Sequence, residues 1–254
     1  MEFKTRIYGE VVINGKKVGH SSPQDPLLND IVNEVGTDDF YISKIDKIVL
    51  VDSAGNERNS TTSLDYTDNT GASTPSVKIH GVISITANYT VSAVRLYAGT
   101  KLYFETSWSK AVESGDKVDI TVTITMEVTG SLSGTVTGSL GSATGLITNV
   151  LKALIGVARD QVGFHYAYIR GTIEEAGQII DVDIAQVAMS RTVDTAANKV
   201  TGDSGVFTPS QTGDASTLSF LNSGGIAMVI FPFDTPVPIT PDIQLQVTFE
   251  FTVS

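Results

Sequence analysis

The stretch that decides the fold is Val118-Asp-Ile-Thr-Val-Thr-Ile-Thr-Met-Glu-Val128, in which apolar and polar residues alternate without interruption. A period of two places the apolar side chains on one face of an extended strand and the polar side chains on the other. The segment from Ile243 to Val253 repeats this alternation. Both segments therefore predict long antiparallel strands with one buried face and one face in water.

Most of the remaining chain reads as strands separated by turn-rich stretches, with two short helices. One helix is predicted to begin at Asp25-Pro26 and to stop at Gly36, and a second to follow Thr144. Further strands are predicted at residues 3–8, 10–13, 45–51, 77–91, 101–106, 163–173 and 226–231. The expected fold is all-β, with two tandem antiparallel β-sandwiches of jelly-roll or Greek-key type and one short helix in each.

The second half of the chain echoes the first half in the same order. The first predicted helix aligns with the second at a shift of 119 residues, and the turn Asp52–Asn56 aligns with Glu174–Gln178 at a shift of 122. The strand 118–128 aligns with 243–253 at a shift of 125. Any two amphipathic strands align to some degree, but the shared order and the matching caps and turns favour an internal duplication. It predicts two modules, 1–128 and 129–254, joined by a segment rich in Gly, Ser and Thr. This segment also carries Leu132, Val136 and Leu140, so the alternative is that part of it forms the first strand of module two.

The two predicted modules differ in their number of charged residues. The chain carries 17 Lys and Arg against 28 Asp and Glu, a net charge of −11 that argues against nucleic acid as a partner. The modules have similar net charges, −5 and −6, but the charged residues fall from 29 in the first to 16 in the second. A surface with few charges can be buried against a neighbour, which makes module two the better candidate for a packing interface. The alternative is a neutral strand surface covered by Ser, Thr and Gly.

No catalytic motif is evident. The absence of cysteine excludes disulfides, thiolate catalysis, Cys-based zinc sites and iron–sulfur clusters. No nucleophile elbow, phosphate loop or dinucleotide fingerprint occurs, so we expect no enzyme, no cofactor and no catalytic or metal-binding residue. Calcium binding by Asp65 with Asp68, or by Asp181 with Asp183, stays open, although neither pair has the full oxygen series of a calcium loop. A glycosidase is a third hypothesis, since it needs only two converging carboxylates.

Membrane insertion and a signal peptide are not predicted. The first residues contain no apolar region of the signal type, and no apolar run reaches the roughly 18 residues that span a bilayer.

Three aromatic residues, Tyr97, Tyr103 and Trp108, could form a stacking platform for glycans. The alternative is that they divide between the core and the surface of a hairpin.

A further pattern combines four parts of module one. They are the segment from Val94 to Glu105, the turn 112–116, the Thr-rich strand after that turn, and residues 45–56. Together they resemble small β-sandwich modules in structural proteins of viruses, especially viruses of thermophilic archaea and bacteria. The resemblance covers most of module one and is weak in module two. It implies a subunit of a capsid, turret, tail or surface filament, located in a virion, outside the cell or on its surface. Its implied partners are other copies of the chain and other structural subunits.

Assembly of such a subunit is expected to use strand edges, because unpaired edges invite pairing. We predict that the N-terminal strand, with Phe3, Arg6 and Tyr8, or the C-terminal strand, with Phe249 and Phe251, pairs with a neighbouring copy. The alternative function is a module that binds glycans or host cell surfaces, with Tyr97, Tyr103 and Trp108 in a groove beside the loops.

Overall fold

The computed structural model describes residues 1–37 and 39–254. The first half contains β1 (Glu2–Ile13), β2 (Lys16–Pro23), α1 (Asp25–Thr37), β3 (Lys47–Asp52), β4 (Glu57–Thr61), β5 (Leu64–Asn69), β6 (Ser76–Ser84), β7 (Tyr89–Ala98), β8 (Lys101–Val112) and β9 (Lys117–Leu132). The second half contains β10 (Gly138–Ser139), α2 (Thr144–Leu154), β11 (Tyr166–Glu175), β12 (Gln178–Ala188), β13 (Ser190–Asp194), β14 (Lys199–Phe207), β15 (Gly213–Leu221), β16 (Ala227–Ile239) and β17 (Leu245–Val253).

The predicted fold class is confirmed: the protein is an all-β sandwich with two short helices. In the first sandwich, the sheet β5-β6-β9-β1 faces the sheet β4-β3-β7-β8-β2. The alternating segment that decides the fold is β9, and its residues Ile120, Val122 and Ile124 are fully buried. Burial of every second side chain is what its sequence pattern predicts.

The second sandwich has an aromatic core. The sheet β12-β11-β15-β16 faces β13-β14-β17, which continues into the beginning of β1. The ring of Phe3 lies 5.5 Å from that of Phe220 and 4.9 Å from that of Phe231, both in edge-to-face geometry. Phe164 lies 5.3 Å from Phe249 in the same arrangement. Edge-to-face packing matches the positive edge of one ring to the negative face of the next.

The two sandwiches repeat one order of strand pairing. The sheet order β4-β3-β7-β8 of the first corresponds to β12-β11-β15-β16 of the second, and β5-β6-β9 corresponds to β13-β14-β17. The two strands that align at a shift of 125 residues, β9 and β17, occupy equivalent places. Pairing partners can therefore be compared position by position between the two halves.

The strands β1 and β9 belong to both sandwiches. Glu2–Thr5 of β1 pairs in parallel with β17, and the rest of β1 contributes Val11 and Ile13 to the first core. Residue 128, the end of predicted module one, lies inside β9. The segment after it is not a free linker, because β9 continues to Leu132 and Gly138 of β10 pairs back onto it. One continuous sheet thus connects the two cores.

Three local predictions differ from the structure. The predicted strands 3–8 and 10–13 are one strand, and Gly9 lies within it because a Cβ there would come within 2.8 Å of Val122 Cγ1. The predicted strand 77–91 is divided between β6 and β7. The helix α1 continues past Gly36 to Thr37. A Cβ on Gly36 would lie 2.1 Å from Val193 Cγ2, so this glycine permits close packing of α1 on β13.

Both helices lie at the junction of the sandwiches. α1 packs against β8 of the first sandwich and against β13 and β14 of the second, whereas α2 packs against β6, β9 and β16. Two buried acids of α1 are neutralised there: Lys101 Nζ lies 2.7 Å from each carboxylate oxygen of Asp30, and Arg159 pairs with Glu34. The same face of α1 therefore holds both halves of the chain.

Candidate functional site

The predicted aromatic platform is not formed. A β-bulge in β8 turns Tyr103 into the core, where its hydroxyl donates to Asp30 and accepts from the backbone N–H of Ser43. Burial raises the pKa of the Tyr103 hydroxyl. Tyr97 lies half-buried on the outer face of its sheet, and Trp108 packs partly buried against the core. The alternative interpretation of these residues, as core and surface positions of a hairpin, describes their placement.

The strands predicted to pair with a second copy have neighbours within the chain. β1 pairs with β9 along its length, with β17 at Glu2–Thr5 and with β2 from Gly9 onward, while β17 lies between β14 and β1. Phe3, Phe249 and Phe251 are buried. Within the described part of the chain, neither strand therefore has a long free edge. Periodicity reports which face of a strand is buried, but not whether its edge is paired.

The other two residues of that prediction lie on the outer face of β1. Tyr8 donates a hydrogen bond from its hydroxyl to Glu127 Oε1 at 3.1 Å. The guanidinium of Arg6 lies 5.0 Å from the centre of the Tyr8 ring. Both side chains therefore have partners within the chain.

The acidic pairs considered for calcium lie in separate surroundings. Asp68 accepts hydrogen bonds from the hydroxyl and the backbone N–H of Thr70, which lower its pKa. Asp65 instead lies 3.4 Å from Nδ1 of His80. Asp183 pairs with Arg170, and Asp181 is exposed on β12. Within residues 1–37 and 39–254 no group of three or more His, Cys, Asp or Glu residues is placed to hold a metal ion.

An apolar cleft of 520 Å³ lies at one end of the second sandwich. Its floor includes Ile169 and Leu218, and its walls include Phe233, Val237 and Leu245. Among residues 1–37 and 39–254, no Asp, Glu, Lys or Arg side chain lines it. The cleft therefore favours apolar groups.

Exposed aliphatic side chains occur around this cleft. Ile243 lines it and is 38% exposed, and Val206 pairs in the sheet with the cleft residue Gln246 and is 64% exposed. The hairpin of β11 and β12 projects beyond β15 at the same end and carries Ile179 and Ile180, 79% and 40% exposed. We call the cleft together with Ile179, Ile180, Val206 and Ile243 the apolar end of the second sandwich.

The equivalent end of the first sandwich is closed by hydrogen bonds between its loops. Ser114 donates its backbone N–H to Asn88 Oδ1 at 2.8 Å, and Ile85 donates to the carbonyl of Asp116 at 2.9 Å. In the β3–β4 turn, the Asp52 carboxylate accepts the backbone N–H groups of Ala54 and Asn56, both at 2.9 Å. These bonds, with Arg58, lower the pKa of Asp52 to about 2.

The aliphatic residues of the apolar end replace polar ones of the first sandwich. At the shift of 122 residues, Ile179 and Ile180 stand where Glu57 and Arg58 stand. Val206 takes the place of His80. Val206 pairs with Gln246 and His80 pairs with Thr121, and Gln246 aligns with Thr121 at the shift of 125 residues. Both ends share a backbone arrangement, but the second has exposed aliphatic side chains at three positions where the first has polar or charged ones; in the first, Val82 of β6 is 40% exposed. The small number of charged residues in module two was the sequence signal for this surface, but it did not show where on the module the surface lies.

A second, polar pocket of 330 Å³ lies where β2 separates from β8. It is lined by His20, Ser22, Gln24, Glu105 and Thr106, together with Gly19 and Ser107. Donors and acceptors of this kind can bind the hydroxyl groups of a polar ligand.

Comparison with protein-family models, curated proteins and solved structures finds no match to this chain. No helix within residues 1–37 and 39–254 is long and apolar enough to cross a membrane.

Proposed function

We propose that the protein is a non-enzymatic structural subunit that packs against copies of itself through the second sandwich. The observation that carries this proposal is the apolar end, with its uncharged cleft and four exposed aliphatic side chains. The sequence resemblance to virus structural proteins supports a virion or a surface filament as the assembly.

Hydrophobic burial provides the driving force for this packing. Fully burying an Ile side chain contributes about 1.5–3 kcal/mol, and a specific interface usually buries more than about 1,000 Å². The net charge of −11 opposes association of two copies in general. The cleft reduces this opposition locally, because no charged side chain in its lining has to be desolvated.

A non-enzymatic role agrees with where the two buried acids of α1 lie. Asp30 and Glu34 are buried, but both are neutralised by cations at the junction of the sandwiches. Neither residue lines the apolar cleft or the polar pocket. Their arrangement fits a structural role, because an acid–base catalyst has to reach a bound substrate.

Light scattering and electron microscopy of the purified protein test this proposal. We expect a large ordered particle or filament that forms with rising protein concentration. Val206→Lys should weaken assembly at least tenfold, because it places a charge in the contact, whereas Val82→Lys on the first sandwich should not. A strict monomer at all concentrations, or equal effects of the two variants, would contradict the proposal.

Glycan binding is a second candidate, favoured by the polar pocket between β2 and β8. Its residues His20, Gln24 and Glu105 offer donors and acceptors, and Trp108 follows the lining residue Ser107 in sequence. A glycan array with a stable monomer would reveal selective binding. Loss of that binding in Gln24→Ala, with Gln178→Ala as an exposed control, would place the glycan in this pocket.

A further inference from the structure

The edges of the sheets differ in how well they are protected against pairing with another chain. Five strands of five or more residues end a sheet in the described part of the chain: β4, β5, β12, β13 and β16. Short length, charge and proline all hinder addition of a further strand. Four of the edges have such a feature: β4 has five residues with Glu57 and Arg58, β5 has Asp65 and Asp68, β13 has five residues with Arg191, and β16 has Pro232, Pro236 and Pro238.

The edge of β12 is the longest of the five that has neither a proline nor a basic residue. The strand has 11 residues, and its charged side chains are Asp181 and Asp183. Near its middle, the carbonyl of Ile184 accepts hydrogen bonds from the backbone N–H and the hydroxyl of Ser210, both at 3.0 Å. Before that point, residues 178–183 pair with β11 on one side and have no strand on the other. This segment therefore presents backbone donors and acceptors to a partner.

The side chains of this segment are suited to an interface. Ile179 and Ile180 lie on opposite faces of the strand and are 79% and 40% exposed. The corresponding edge in the first sandwich has Glu57 and Arg58 at these two positions. At these two positions the second edge therefore has aliphatic side chains in place of the charges, and its own charges, Asp181 and Asp183, follow further along β12.

We propose that two copies of the chain pair β12 with β12 in antiparallel fashion around a twofold axis near Ile180. Each copy contributes the sheet β12-β11-β15-β16, so that the pair forms one continuous sheet of eight strands. A twofold axis perpendicular to the sheet makes the contact self-complementary and keeps both sandwich cores on the same side of the sheet. The proposal rests on the proposed function and names the contact through which assembly begins.

The charges on β12 select the register of this pairing. With the axis at Ile180, this residue faces Ile180 of the second copy, and Val182 faces Gln178. Moving the axis by one residue to Asp181 would place two carboxylates directly opposite each other, which is destabilising. The register centred on Ile180 moves the two carboxylates from directly opposite positions to diagonal ones and pairs Ile180 with its copy on the core face.

A single-cysteine variant tests the contact directly, because the chain contains no cysteine. Residues opposite each other in an antiparallel pair have Cα atoms about 4.5–5.5 Å apart, within the usual disulfide range of about 4.4–6.8 Å. Ile180→Cys should therefore give a covalent dimer on mild oxidation. Val82→Cys, at a position with the same 40% exposure, should stay mostly monomeric. Equal cross-linking of both variants, or none of either, would overturn the proposal.

A charge variant separates this proposal from the proposed function. Ile180→Lys places two ammonium groups face to face and should weaken self-association at least tenfold in sedimentation, with an unchanged circular dichroism spectrum. Val82→Lys is the matched control. If the wild type assembles but Ile180→Lys assembles equally well, the β12 contact is wrong and the assembly function stands. If the wild type is monomeric at every concentration, both proposals fail.

Discussion

The two sandwiches of this protein share an order of strands but differ in how their equivalent ends meet solvent. The first ends in hydrogen-bonded loops and a turn held by Asp52, and its edge strand β4 carries Glu57 and Arg58. The second has an apolar cleft, and Ile179 and Ile180 occupy the places of those two charges. The difference teaches that backbone arrangement alone does not locate an interaction surface. The side chains at equivalent positions do.

The variant with the largest expected effect tests whether the two sandwiches unfold independently. Phe3→Ala removes a ring from the second core and should lower the free energy of unfolding by about 3–5 kcal/mol. Because β1 and β9 belong to both sandwiches, we expect one cooperative transition in urea, shifted as a whole. Lys4→Ala, on the exposed side of the same strand, should change stability by less than about 0.5 kcal/mol. Separate transitions for the two halves would show that they unfold independently.

The junction between the sandwiches provides the next test. Arg159→Met leaves the fully buried Glu34 without its cation and should cost about 3–5 kcal/mol in urea unfolding. The double variant Glu34→Leu, Arg159→Met removes both charges and should recover most of that loss. A double variant as unstable as the sum of the two single variants would show that the ion pair does not couple α1 to the loop after α2.

A smaller effect compares the two equivalent hairpin turns. Because its folded pKa lies near 2, below the ordinary 3.8, Asp52 contributes stability that is present above pH 3.8 and lost as pH falls toward 2. Asp52→Asn should therefore lower the melting temperature at pH 7, and the difference from wild type should shrink toward pH 2. Glu174→Gln, in the exposed turn of the second sandwich, is the matched control and should have no measurable effect. Equal losses in both variants would contradict the comparison.

The smallest effect concerns His80, whose place in the second sandwich is taken by Val206. Its ring nitrogens lie 3.3 Å from Asp119 and 3.4 Å from Asp65, and these carboxylates raise the pKa of His80 above 6.5. The protonated His80 ring therefore stabilises the folded state. This contribution is fully present below pH 6.5 and is lost as the pH rises through the folded pKa of His80. His80→Gln should reduce the change in melting temperature between pH 5 and pH 8. His20→Gln is the control. An unchanged pH profile would show that the Asp–His contacts do not stabilise the fold.

Sequence patterns predicted local features more successfully than long-range ones. The alternation in β9 and β17 and the apolar stripes of α1 and α2 depend on neighbours a few residues away, so these elements could be predicted. The inward turn of Tyr103 depends on a bulge in β8, and the close packing at Gly36 depends on a strand about 160 residues later in the chain. Neither feature has a local signal in the sequence.

The sequence by itself determined the all-β class, the two helices, the repeated order and the absence of cysteine chemistry, because each follows from residue type and local period. Only the tertiary structure decided that β1 serves both cores, that β17 is an interior strand and that β12 is an edge. It also decided that four scattered aliphatic residues share one end of the second sandwich. Strand partners are chosen by contacts between distant segments, and those contacts determine which edges and apolar side chains remain available to another molecule.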